Sequence, residues 1–360
     1  MTVSWHTEKG DVDSVVYYQK AGESWWRPAV GAFKEVVGFE AWVHTVGLVG
    51  LEAGVDYVFK IGKGPEVFKF RTAPEELTRP VKFAVGGDAY YGNGKVFRKM
   101  NQEIARQDPD FVVVGGDIAY SRGEWKVSRG RGYEFDRWEQ FFEFWKEDMV
   151  APDGRLIPMV IVVGNHDVPK KVDPASKPVM FYEMFSFPEK DISYRRLDVG
   201  GYLSLVLLDS DHTYPVEGKQ TEWLEGALEK MNGYKMAVYH VSAYPAYYAF
   251  NVPTSVKIRQ NWVPLFERYG ISVAFENHNH CYKRTYRLKE NKIDENGIWY
   301  LGDGSWGVPP REPKPNWYLE KTAKIDAYHL VTLDQSKAVI EPRTSEGQLV
   351  EAAVEIPFKR

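Results

Sequence analysis

Five short apolar runs in this chain each end in residues able to ligate a cation. Phe83-Ala84-Val85 leads into Gly86-Gly87-Asp88, and Phe111-Val112-Val113-Val114 into Gly115-Gly116-Asp117-Ile118-Ala119-Tyr120. Val160-Ile161-Val162-Val163 leads into Gly164-Asn165-His166-Asp167. Met236-Ala237-Val238-Tyr239 leads into His240, and Ile271-Ser272-Val273-Ala274-Phe275 into Glu276-Asn277-His278-Asn279-His280. In open α/β sheets, sites form beyond the carboxyl ends of the strands. Five such strands would bring Asp88, Asp117, Asn165, His240, His278 and His280 to one rim. These oxygen and nitrogen donors suit divalent metals, and one ion takes about four protein ligands. Six donors therefore point to two ions ~3.5–4 Å apart, bridged by a carboxylate. The glycines before Asp88, Asp117 and Asn165 allow a sharp turn close to an ion. In His278-Asn279-His280 each imidazole can address a different ion. Taken singly, a Gly-Asp after a strand is often just a turn, and a lone histidine is often a satisfied polar residue. The specific signal is the conjunction, in this order and at these strand ends.

The elements around these clusters divide the chain. Residues 1–75 read as all-β. Runs at Val3-Ser4-Trp5-His6-Thr7, Ser14-Val15-Val16-Tyr17-Tyr18, His44-Thr45-Val46-Gly47-Leu48, Tyr57-Val58-Phe59-Lys60-Ile61 and Val67-Phe68-Lys69-Phe70-Arg71 are separated by turn residues. Leu51-Glu52-Ala53-Gly54-Val55-Asp56-Tyr57 places a glycine turn before a strand-entry tyrosine, as in the tyrosine corner of immunoglobulin-like sandwiches. A plain β-meander is the alternative. The polar stretch from Ala73 to Pro80, with two prolines, reads as a linker. From Val81 strands alternate with helical patterns, which implies an α/β layered domain. Val96, Met100 and Ile104 recur four apart, and Trp223, Leu224, Leu228 and Met231 share one face, predicting helices over 95–106 and 221–231.

Composition excludes some function classes. The chain has 360 residues, is 44% hydrophobic and 27% charged, and so is globular rather than disordered. A net charge of −4 disfavours a dedicated nucleic-acid binder. Cys281 is the single cysteine, which excludes an intramolecular disulfide and a cysteine-based zinc site. No apolar run approaches the ~20 residues of a membrane span, and no membrane partner is expected. The chain opens on a strand-like Met1-Thr2-Val3-Ser4-Trp5 without an apolar leader.

These clusters resemble the blocks of the calcineurin-like metallophosphoesterase superfamily and, more narrowly, of the purple acid phosphatases. The family pattern runs Asp-x-Gly, Gly-Asp-x-x-Tyr, Gly-Asn-His-Asp/Glu, Val-x-x-His and Gly-His-x-His. Here it reads Asp88-Ala89-Tyr90, Gly116-Asp117-Ile118-Ala119-Tyr120, Gly164-Asn165-His166-Asp167, a reduced block ending at His240, and Asn277-His278-Asn279-His280. The resemblance implies an α/β four-layer sandwich with mixed β-sheets over residues 80–360. A small fibronectin type III-like β-sandwich over 1–75 would precede it. It further implies Asp88, Tyr120 and His280 around Fe(III), Asp117 bridging, and Asn165, His240 and His278 around a divalent Zn, Mn or Fe ion. A phenolate is a hard anionic ligand, which suits Fe(III). The implied activity is hydrolysis of small phosphate monoesters. Hydroxide generated at the ions attacks phosphorus, His166 donates a proton to the leaving group, and Asp167 orients His166. A phosphodiesterase on the same scaffold is the alternative, and a non-catalytic binding module ranks low because all seven ligand positions hold competent residues. Family members are commonly exported, so a secreted or periplasmic location is expected.

The chain departs from the pattern in three places. Asn277 replaces a glycine, and asparagine tolerates a left-handed turn. Tyr90 stands where many relatives place a ligand histidine. The stretch from Ala243 to Phe250 lacks the substrate-binding histidines usual there, leaving Tyr244, Tyr247 or Tyr248 as substitutes or as core residues. The Ser121–Tyr133 segment carries Arg122, Lys126, Arg129 and Arg131, which could steer an anionic substrate.

Overall fold

In a strand, successive side chains face opposite sides, so alternating hydrophobicity buries one face. That rule builds the N-terminal part of the computed structural model, which describes residues 1–8, 10, 13–36, 41–122, 134–169, 179–302 and 304–358. Its strands are β1 (Thr2–Glu8), β2 (Val15–Lys20), β3 (Arg27–Val30), β4 (Ala32–Glu35), β5 (Ala41–Gly47), β6 (Asp56–Ile61) and β7 (Phe68–Arg71). They form two antiparallel sheets, β1-β5-β4 and β3-β2-β6-β7. Val16, Tyr18, Val46, Tyr57, Phe59 and Phe70 fill the space between them. The Tyr57 hydroxyl accepts the Glu52 N–H at 2.9 Å, which is the expected corner. β3 and β4 escaped the sequence reading: they are short edge strands, mostly exposed, and β3 carries Pro28.

Residues 81–357 alternate strands and helices. In chain order they run β8 (Val81–Gly86), α1 (Gly94–Arg106), β9 (Phe111–Gly115), α2 (Glu134–Asp148), β10 (Met159–Val162) and α3 (Met180–Met184). Then follow β11 (Arg195–Val199), β12 (Leu203–Leu208), α4 (Lys219–Leu228), β13 (Tyr234–Val241), α5 (Pro253–Asn261), α6 (Val263–Tyr269) and β14 (Val273–Asn277). The rest are β15 (Tyr282–Thr285), β16 (Leu288–Lys289), β17 (Lys292–Ile293), β18 (Trp299–Gly302), β19 (Leu319–Ala323), β20 (Tyr328–Leu333), β21 (Lys337–Arg343) and β22 (Val354–Pro357). Two mixed sheets result, ordered β10-β9-β8-β20-β21-β22 and β11-β12-β13-β14-β18-β15-β19.

The sheets pack face to face between helical layers, and the strand sequences say why. Phe83 and Val85 point into a core shared with Leu205, Met236, Val238 and Phe275 of the other sheet. Ala84, between them, faces Phe97, Met100, Trp138 and Phe141 of α1 and α2. Across the molecule Ala237 and Tyr239 face Leu224 of α4, Phe266 of α6 and Trp262 at the junction of α5 and α6. Strands covered on both sides read as continuous apolar runs, which is how five of them stood out. Each large side chain so buried contributes roughly 1.5–3 kcal/mol.

The five runs do not share one sheet: β8, β9 and β10 belong to the first and β13 and β14 to the second. The rim is therefore the common end of two stacked sheets. The α1 prediction holds, with Asn93 capping Lys95 N–H at 3.0 Å. α4 begins two residues early, at Lys219. Within the Ala73–Pro80 segment Leu77 is buried and Arg79 forks onto Asp110. The sandwich rests on the layered part through Lys34–Glu183 at 3.0 Å, Lys146–Glu66 at 3.0 Å and Arg71–Asp153 at 3.2 Å. Among the described residues no helix is long and apolar enough to cross a membrane.

Candidate metal centre

The loops leaving these strands turn at ligand-type residues. Asp88, Asp117, Tyr120, His278 and His280 all have positive φ, from 50° to 73°. An L-residue pays roughly 1–2 kcal/mol for that conformation, and such strain persists where surrounding contacts enforce it, often at functional sites. The Arg137 guanidinium of α2 enforces it at Tyr120, donating to its carbonyl at 2.5 Å. Two glycines allow the close approach. A Cβ on Gly116 would lie 2.6 Å from His240 Nδ1, and one on Gly304 would lie 2.7 Å from Asp88 Oδ2.

All seven expected ligands meet, in two groups. In the first, the Tyr120 hydroxyl donates to Asp88 Oδ1 at 2.7 Å. His280 Nε2 lies 2.8 Å from that oxygen and 3.1 Å from the Tyr120 hydroxyl. In the second, Asp117, His240 and His278 each offer an atom within 4.8 Å of the others. His240 Nε2 lies 3.4 Å from Asp117 Oδ2 and 3.2 Å from Asn165 Oδ1. His240 Nδ1 faces the Gly115 carbonyl at 3.0 Å. A carbonyl only accepts, so Nδ1 carries a proton, and Nε2 is the atom that faces the group. The groups are stitched together: Asp88 Oδ2 accepts the His278 N–H at 2.9 Å.

The residues fit a cationic group. Asp117 Oδ1 accepts the His166 N–H at 2.6 Å, while its buried Oδ2 receives no hydrogen bond. A buried carboxylate oxygen without a donor is costly unless a cation satisfies it. Electrostatics agree. Burial alone would depress the His240 imidazole, but the Asp117 and Asp88 carboxylates outweigh it and lift it to about 9. Burial and the adjacent His240 push His278 down to about 3. Burial works against ionised Asp88, yet His280 and His240 hold its carboxyl below the usual range.

The third block corrects the sequence reading. Asp167 does not hold His166. Its carboxylate accepts the backbone N–H groups of Asp117 at 2.8 Å, Ile118 at 2.7 Å and Gly164 at 2.8 Å. It ties the loops after β9 and β10 together. His166 is oriented otherwise: its ring stacks on Tyr120 (centroids 4.6 Å, 24°) and Nδ1 meets Arg122 Nη2 at 3.2 Å. Burial lowers its pKa, the Asp117 carboxylate opposes this, and Arg122 adds to the lowering.

Asn277 is not the left-handed residue; His278 is. Asn277 ends β14, donates to the Tyr239 carbonyl at 3.1 Å, and lies against Gly115, where a Cβ would be 2.0 Å from its Nδ2. Tyr90 turns away to Gln140 on α2 at 2.5 Å. Tyr244 is a core residue bonded to Asn291 at 2.8 Å, whereas Tyr248 stacks on His278 (4.8 Å, 20°). Of the basic segment, Arg122 faces the centre; Lys126, Arg129 and Arg131 lie outside the described residues.

Two neighbours of the centre were missed. His212 lies 5.5 Å from the His240 ring, with Nε2 3.1 Å from Ser210 Oγ. It follows β12, a sixth apolar run ending in a polar cluster, so the strand-end rule could have found it. Arg311 donates its backbone N–H to the His280 carbonyl at 2.6 Å. It sits in irregular chain after Pro309-Pro310, where no periodicity marks it.

Comparisons with known proteins agree with this arrangement. A family model described as calcineurin-like phosphoesterase matches residues 81–282, and one described as purple acid phosphatase, N-terminal domain, matches residues 1–72. A probable purple acid phosphatase 20 of Arabidopsis thaliana is 25% identical, covering 94% of this chain and 80% of that protein. Purple acid phosphatase 22 of the same plant is 26% identical over 84% of this chain and 69% of that protein. Among solved structures, a purple acid phosphatase from yellow lupin (Lupinus luteus) seeds superposes with a TM-score of 0.81. It is 16% identical and the match covers 99% of this chain and 72% of that one, a likeness of fold.

Proposed function

The chain belongs to the calcineurin-like phosphoesterase family and, within it, to the purple acid phosphatases, and from that premise we propose a phosphomonoesterase whose paired ions are held by Asp88, Asp117, Tyr120, Asn165, His240, His278 and His280. The observation that carries the reading is the undonated Oδ2 of buried Asp117 beside His240, next to a second donor group. When bound, the ions supply Lewis acidity that lowers the pKa of water and offsets charge on phosphoryl oxygens. Asp88, Tyr120 and His280 would take Fe(III), because a phenolate is a hard anionic donor. Asn165, His240 and His278 would take a divalent Zn, Mn or Fe ion, with Asp117 common to both.

His166 is the proposed proton donor. A guanidinium can only donate, so Arg122 makes Nδ1 the acceptor and leaves the proton of the neutral ring on Nε2. That N–H would hydrogen-bond the leaving alkoxide oxygen as its bond to phosphorus breaks, and full transfer takes the second proton of the imidazolium form, which returns the ring to neutrality. Asp167 keeps the two loops that carry Asp117, Asn165 and His166 in register. Residues 1–75 form the fibronectin-like unit and 80–360 the catalytic one in this reading. The substrate is a small phosphate ester, and export to an oxidising compartment would suit Fe(III).

Metal analysis combined with a visible spectrum of the purified protein tests the assignment. We expect two ions per chain and a phenolate-to-iron charge-transfer band that vanishes in Tyr120→Phe. One ion per chain, or a band indifferent to Tyr120, rejects it.

A further inference from the structure

We propose that Arg311, held by Tyr248, is the phosphoryl-binding cation of this centre and gives it a preference for doubly charged monoesters; the ester preference rests on the phosphatase reading above. The stretch from Ala243 to Phe250 holds no histidine, lysine or arginine, so any cationic donor beside the histidines of the fifth block comes from elsewhere in the chain. Arg311 stands where such a donor is needed. Its backbone is fixed to His280, in the first donor group, at 2.6 Å. Its Nη1 donates to the Tyr248 hydroxyl at 2.7 Å, and Tyr248 stacks on His278, in the second group, at 4.8 Å. The guanidinium also lies 5.0 Å from the Tyr247 ring and 5.6 Å from that of Tyr248. Two aromatic rings and one hydroxyl thus preset it beside both histidines of the fifth block.

The guanidinium is available to a ligand. Arginine carries five N–H donors; Tyr248 takes one through Nη1, and among the described residues no carboxylate pairs with Arg311. The side chain is only half-buried. Nearby arginines are committed: Arg259 donates to the Phe250 carbonyl at 2.8 Å, and Arg284 to Glu351 at 2.9 and 2.7 Å. A guanidinium fork can take two phosphoryl oxygens at once. A monoester dianion offers three unesterified oxygens and two charges, whereas a diester offers two oxygens and one charge. The attraction scales with that charge, so the cation favours the monoester.

The holoenzyme, Arg311→Met, Arg311→Lys and Tyr248→Phe test this with three readouts. These are metal content, the dissociation constant of inorganic phosphate by calorimetry, and kcat and KM on an aryl monoester and its aryl diester. Losing a charged hydrogen-bond donor costs about tenfold or more in affinity. We expect Arg311→Met to weaken phosphate by about that factor and to raise KM more than it lowers kcat. Monoester efficiency should fall about tenfold further than diester efficiency, with the metal content of wild type retained. Tyr248→Phe should lie between, and Arg311→Lys should recover part of the phosphate affinity. If Arg311→Met fails to fold, Arg311→Lys carries the test, since an ammonium cannot fork onto two oxygens. Phosphate affinity within twofold of wild type, or equal losses on both esters, overturns the proposal. A wild type that binds phosphate through Arg311 yet cleaves no ester keeps the anion site and rejects the phosphatase reading instead.

Discussion

Tyr120 concentrates the chemistry of the centre in one oxygen. Burial, with the Asp88 and Asp117 carboxylates, raises its phenol well above the usual range, although Arg311 opposes them. Without ions it is therefore a neutral donor to Asp88. Only a strongly acidic cation displaces such a proton. Tyr120→Phe should then remove the iron-type absorption and weaken the ion held by Asp88 and His280, while the ion at Asn165, His240 and His278 persists. Metal analysis of the variant reads this directly; loss of both ions together would refute separate donor groups. The convergence of the seven proposed ligands was legible because each stands at or just past the end of an apolar strand, where backbone geometry converts sequence position into spatial proximity. Arg311 was not, because irregular chain gives no such conversion. Asp167 was misread for a related reason: its neighbour in sequence was taken for its partner in space, while its oxygens reach amides fifty residues away as readily as nearby ones.

At the scale of loops and strands, Asp167 and Asn277 hold the turns that carry the proposed ligands. Asp167 satisfies three buried amides from two loops. Asp167→Ala would leave them without an acceptor, at about 1–3 kcal/mol each. We expect a loss of about 3 kcal/mol or more in chemical denaturation, with weakened metal retention. A residue that merely oriented His166 would leave stability near wild type, so the denaturation midpoint discriminates. Asn277 is the counterpart on the other sheet. Asn277→Gly restores the family residue but removes the bond to the Tyr239 carbonyl and the wedge against Gly115. We expect that change to destabilise by about 1–3 kcal/mol, as measured by the unfolding midpoint. An unchanged midpoint would mean that the side chain is a passive filler. The strands themselves were readable from their apolar runs. Which run belongs to which of the two sheets was not, because a run covered on both faces has the same appearance in either.

The molecule as a whole joins a β-sandwich to a layered catalytic part through a surface that ordinary composition does not reveal. His6 of β1 lies on it, with its ring edge-on to Phe142 of α2 (centroids 5.1 Å, 88°). Burial, reinforced by neighbouring His44, lowers its pKa from 6.5 to about 4. At pH 7 the ring is neutral folded and mostly neutral unfolded, so it contributes little pH dependence. Between pH 6.5 and about 4 the unfolded chain binds a proton that the folded one refuses, and stability falls as pH falls. The loss approaches about 3 kcal/mol by pH 4. The centre's own carboxylates and imidazoles also respond to acid, so the wild-type curve alone is ambiguous. His6→Phe keeps an aromatic ring against Phe142 and removes this proton site. Its unfolding free energy should therefore fall less than that of wild type between pH 7 and pH 4, by about that amount, in parallel denaturant titrations. Superimposable pH profiles would show that the docking surface does not resist protonation and that acid sensitivity resides elsewhere. A shallower profile for the variant would place part of the molecule's acid limit at the seam between its two parts, away from the ligands that do the chemistry.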